Sequence, residues 1–147
     1  MFKGVDVDWF AFNNLNAVLH FASAGGLVPY FVDEHISELA TKVLSLPIVS
    51  PEVIINEDLS NFVSLPDQKS FDLYVESFLN FARRGLFSYD KSILNNYESP
   101  LYYLVAAPSK ALDRKELSDS LLSLIPQTIL PINPLIHQQV NIEIYTK

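Results

Sequence analysis

Two short runs near the start, Val5 to Phe12 and Val18 to Ala22, alternate along the chain and are rich in β-branched and aromatic residues, the pattern of strands with two distinct faces. Between them lie Asn13, Asn14 and Asn16. Asparagine tolerates left-handed backbone and bonds its own neighbours, so the two runs are predicted to close as an antiparallel hairpin. Ala24, Gly25 and Gly26 then break the pattern ahead of Pro29. This opening disfavours a regularly alternating parallel fold and directs the rest of the chain to cover the hairpin.

Helical spacing follows. Asp33 is placed to cap a helix whose apolar positions are Ile36, Leu39, Ala40, Val43 and Leu44, ended by Pro47 and Pro51. Residues 48–64 read as an irregular connection with one short strand at Val53, Ile54 and Ile55. From Lys69 to Arg84 the residues Phe71, Tyr74, Val75, Phe78, Leu79 and Ala82 form one apolar stripe, with Gly85 as the left-handed stop and Arg83 and Arg84 at the carbonyl end of the dipole. Leu101 to Ala107, between Pro100 and Pro108, has the form of a buried central strand. Asp113 to Glu116 is an approximate capping box opening a helix that stops at Pro126. After a proline-spaced stretch, Val140, Ile142 and Ile144 alternate as a closing strand with one buried face. The expected fold is α+β, one domain over 1–147: a mainly antiparallel sheet with an N-terminal hairpin, about three helices packed on it and a C-terminal strand.

With 147 residues, 49% hydrophobic and 18% charged, the chain is long enough to bury roughly 70% of its unfolded surface in one core. There is no cysteine, which excludes disulfides, thiolate metal sites and a cysteine nucleophile. Asp6, Asp8 and Asn13 interrupt the stretch a signal peptide would need, and no apolar run reaches membrane-spanning length, so a cytoplasmic protein is expected. Ten Lys and Arg against 17 Asp and Glu give a net charge of −7. That charge repels phosphate backbones and attracts basic proteins, although it also serves solubility alone in many domains.

No motif of established chemistry is present. His20, His35 and His137 share no HxxxH, HxH or HExxH spacing, and are expected to be partly exposed or to cap backbone groups. GxSxG, SxxK, GxGxxG and phosphate-loop patterns are missing, so no cofactor is expected. Asp6 and Asp8, two apart on a strand, share a face and can act as paired carboxylates or hold a hard cation, or else form the solvated side of an edge strand. Trp9 and Phe10 must face opposite sides of the sheet, so one meets the helices and the other, with Trp9 the candidate, is left for a partner. A second candidate surface is the acidic series Glu52, Glu57, Asp58 and Asp67, for which ordinary loop solvation and recognition of a partner are both open.

Read together, Asp8-Trp9-Phe10-Ala11-Phe12, the asparagine turn, Ala17 to Gly26 (AVLHFASAGG) and Pro29 resemble the opening of the immunity proteins of bacterial contact-dependent growth inhibition and related polymorphic toxin systems. The likeness covers about 30 residues and departs from the family pattern at Leu15-Asn16, where a glycine is usual. The resemblance implies a cytoplasmic, non-catalytic protein that binds and neutralises the cognate toxin C-terminal domain, many of which are nucleases with basic clefts. It implies a monomer forming a one-to-one complex, with no direct nucleic acid or membrane partner. The residues leave two other readings open: a small metal-dependent enzyme built on Asp6, Asp8 and a histidine, and a non-catalytic adaptor that dimerises through an edge strand.

Overall fold

The computed structural model describes residues 4–92 and 96–146. Among these residues seven strands form one mixed sheet: β1 (Asp8–Asn13), β2 (Val18–Ala22), β3 (Val53–Ile55), β4 (Phe87–Lys91), β5 (Leu101–Pro108), β6 (Ile129–Leu130) and β7 (Gln139–Asn141). Their order is β3-β5-β4-β2-β1-β6, with β7 also on β5. Three helices, α1 (Ile36–Leu44), α2 (Gln68–Ala82) and α3 (Asp119–Leu124), complete the α+β architecture. No helix among the described residues is long and apolar enough to cross a membrane.

The hairpin forms as its asparagines predict. Asn13 Oδ1 accepts from the amides of Leu15 (3.0 Å) and Ala17 (2.8 Å), and Asn16 takes the left-handed backbone with φ 63°. The register sets Trp9 against Phe21 and Phe10 against His20. Parallel pairing then joins β2 to β4 and β1 to β6, while the remaining pairs are antiparallel.

All three helices share one side of the sheet. Phe81 of α2 lies against Phe10 and His20, α1 packs on β1 and α2, and α3 packs on α1. The opposite side is covered without a helix, by two irregular segments from distant parts of the chain. Phe31 meets Trp9 edge-on, Tyr145 meets Phe31, and the Tyr30 amide donates to the Tyr145 carbonyl at 2.7 Å. Both faces of β1 are therefore sealed: Trp9 and Phe10 are each 0% exposed.

Several element ends differ from expectation for local reasons. Asp33 bonds the His35 amide in a turn before α1, which has no side-chain cap. The α2 cap is Asp67, whose Oδ1 accepts from Ser70 N at 2.8 Å. The Asp113–Glu116 capping box is complete but closes a 3₁₀ turn, and Ser118 caps α3 instead. At the C-terminal end Val140 and Ile142 are buried, but a 3₁₀ turn at Glu143–Tyr145 breaks the alternation and leaves Ile144 exposed. Gly85, at φ +96°, stops α2 where a Cβ would come within 2.7 Å of the Leu112 backbone. Strands β4 and β6 were not expected.

Candidate functional site

β4 is the strand that carries the polar chemistry. Its sequence, Phe-Ser-Tyr-Asp-Lys, alternates aromatic with polar residues only as far as Asp90, yet every residue is buried. Period two sends Ser88 and Asp90 to the helix side and Tyr89 and Lys91 to the other. Pairing then aligns two rows across the helix side: Phe10, His20, Ser88 and Ala106 in one, and Asp8, Ala22, Asp90 and Tyr103 in the next.

In these rows Ser88, His20 and Asp8 form a chain. His20 Nδ1 lies 2.6 Å from Ser88 Oγ and Nε2 lies 2.8 Å from Asp8 Oδ1. An ionised carboxylate only accepts, so in the neutral ring Nε2–H donates to Asp8 and Nδ1 accepts from the serine hydroxyl. The order matches a nucleophile, base and orienting acid, but the accessibility does not. Ser88 is 0% exposed and the His20 ring stacks on Phe81 at 3.7 Å, so no substrate atom reaches Oγ in this arrangement. His20, expected to be partly exposed or to cap the backbone, is instead 1% exposed with both nitrogens bound by side chains. His137 does cap the backbone, its Nδ1 accepting from the Asn133 amide, and His35 is exposed beside Glu38.

The adjoining row centres on Asp90. One carboxylate oxygen accepts from Tyr74 Oη (2.6 Å) and Tyr103 Oη (3.3 Å), and the other from the Lys91 amide (2.9 Å). Burial pushes the Asp90 carboxyl above its usual range, against these hydrogen bonds, which pull it down. Burial and the neighbouring carboxylate hold the Tyr74 and Tyr103 hydroxyls protonated well beyond neutral pH. On the other side of the sheet Lys91 is fully buried with its ammonium donating to the Ser99 carbonyl, and burial lowers its pKa. Its stem runs where a Cβ at residue 26 would stand, 2.5 Å from Lys91 Cε, so any larger residue there would have to displace the end of the lysine. Tyr74 and Tyr103 entered the sequence reading only as members of the α2 stripe and the β5 run, and Ser88, Asp90, Lys91 and Ser99 carry no local signal of their partners.

The predicted site residues separate into three places. Asp6 precedes β1 and accepts from the Ala24 amide at 2.9 Å, holding Ala24 in its left-handed conformation (φ 50°). Asp8, 42% exposed, lies at the outer rim of the sheet, since β6 runs beside only Phe12 and Asn13. Both aspartates line one cleft of about 220 Å³ with Val7 and the first turns of α1. No group of three or more potential ligands that could hold a metal occurs among the described residues. Trp9 is not at a surface: it stacks on Phe21 at 4.0 Å and its indole N–H donates to Tyr102 Oη. The partner role read for it is corrected by the coil that covers the face opposite the helices.

Glu52, Glu57, Asp58 and Asp67 lie at the opposite end of the strand order, along the segment from β3 to α2, and all four are exposed. The hydrogen bond from Ser70 keeps the Asp67 carboxyl below its ordinary range, and therefore ionised. The ion pairs among the described residues join His20 to Asp8, His35 to Glu38 and Arg83 to Glu76; none uses the four acids. No protein-family model matches this chain, and no curated protein or solved structure matches it.

Proposed function

We propose that this chain is an immunity protein, which binds the toxin domain delivered by a neighbouring bacterial cell and neutralises it in the cytoplasm by one-to-one association. The observation that carries the reading is the disposition of charge. The polar groups suited to chemistry (Ser88, His20, Asp90, Lys91) are buried and bound to neighbouring side chains or to backbone, while Glu52, Glu57, Asp58 and Asp67 face solvent and form no ion pair among the described residues. Unpaired exposed acids on a chain of net charge −7 supply a field for a basic partner, and such fields raise association rates by about 10 to 1,000-fold. The N-terminal likeness to immunity proteins points the same way.

The test is co-expression with the toxin domain encoded beside this chain. Protected growth and a one-to-one complex on size exclusion are expected. A folded chain that leaves the toxin fully active refutes the reading.

A further inference from the structure

The free edge of β3 combines three features. First, the backbone: Ser109 N donates to Glu52 O and Asn56 N donates to Val105 O, so residues 52, 54 and 56 face β5. Antiparallel alternation then turns the amides and carbonyls of Val53 and Ile55 outward, where no strand among the described residues pairs with them. Second, the side chains: Val53 and Ile55 pack inward beside Tyr103 and α2, while Ile54 is 58% exposed. Third, the charge: Glu52 and Glu57 flank the strand, Asp58 follows, and no lysine, internal proline or register shift blunts the edge. A second copy of the chain would bring the same acids together, which disfavours self-pairing.

We infer that this edge is the docking surface of the protein, and that its occupant is an extended, lysine- or arginine-bearing segment of the partner, added to the sheet as a further strand. Main-chain bonds to Val53 and Ile55 supply affinity, Ile54 supplies an apolar contact, and the acids select basic side chains. Further along the same connection, a cleft of about 330 Å³ lined by Val63, Leu65, Phe71 and Asp67 suits a basic side chain, its stem against the apolar wall and its charge at Asp67. This names the surface for the function proposed above and rests on that reading for the partner's identity, but it is testable without the toxin.

The probe is a short synthetic peptide alternating threonine with lysine, titrated into the isotope-labelled chain at low salt and followed by amide chemical shifts. Shifts are expected at Val53 and Ile55, with slowed hydrogen exchange there. Affinity should fall about ten-fold or more in the triple variant E52K/E57K/D58K, because three exposed attractions become repulsions. Its circular dichroism should be unchanged, since all three side chains are exposed. A threonine–glutamate peptide should not bind. No binding of the lysine peptide, shifts confined to other strands, or equal affinity for the triple variant overturns the inference. If the toxin domain is neutralised equally well by the triple variant, the surface is wrong and the immunity reading stands. If the peptide binds at β3 but no toxin is neutralised, the surface stands and the immunity reading falls.

Discussion

Replacing His20 by phenylalanine isolates the energetics of the buried polar row. The ring is nearly isosteric and keeps its stack on Phe81, so the packing loss is small. What changes is hydrogen bonding. Asp8 is 42% exposed and returns to water at little cost, whereas Ser88 Oγ, on a residue 0% exposed, loses its partner with no route to solvent. Stranding a buried hydroxyl costs about 1–3 kcal/mol, so His20→Phe should lose about 2 kcal/mol. For a chain of this length that lowers Tm by roughly 6 °C. Ser88→Ala alone strands His20 Nδ1 and should cost about 1–2 kcal/mol. The double variant H20F/S88A leaves neither group stranded and should lose only about 1 kcal/mol relative to wild type, a coupling of about 2–3 kcal/mol. Urea unfolding at constant m-value measures all four corners of the cycle. Additive losses, with the double variant down by about 3–4 kcal/mol, would show that the two side chains do not satisfy each other.

Two further outcomes follow from the same structure. Asp90 has a folded pKa raised by burial above the ordinary 3.8, so the folded state holds its proton to higher pH than the unfolded chain. Stability therefore falls as pH rises from about 3.8 through the raised value, and the urea midpoint of Asp90→Asn should gain on wild type across that window; a pH-independent difference would contradict it. Gly85→Ala, placing a Cβ 2.7 Å from the Leu112 backbone at φ +96°, should cost at least about 2 kcal/mol in thermal unfolding.

The hairpin, the α2 stripe and the β5 core strand were legible in the sequence because each carries its signal locally: an asparagine turn between two apolar strands, a stripe at helical spacing and an apolar run bounded by prolines. β4 was not. Its inward positions hold Ser88 and Asp90, whose burial is tolerated only because His20, Tyr74 and Tyr103 arrive from elements up to 68 residues away. No local pattern encodes such partners. β6 escaped notice because two residues carry no period at all. Trp9 was misplaced because coil and one short 3₁₀ turn, not a strand or long helix, cover its face, and such segments leave no periodic trace of what they pack against. The acidic series was legible as composition, but its separation from Asp6 and Asp8 depends on strand order, which pairing across the parallel β2–β4 ladder decides.

The coil side of the sheet also sets a schedule for synthesis. Trp9 and Phe21 are made early, but Tyr145, which ties the covering segment to Tyr30, comes 123 residues after Ala22 (145 − 22). At translation rates of about 5–20 residues per second, the aromatic wall of the hairpin waits roughly 6 to 25 seconds for its cover. During that interval the nascent chain presents a sticky surface, so its yield in the cell should depend on ribosome-associated chaperones more than the stability of the finished protein would suggest.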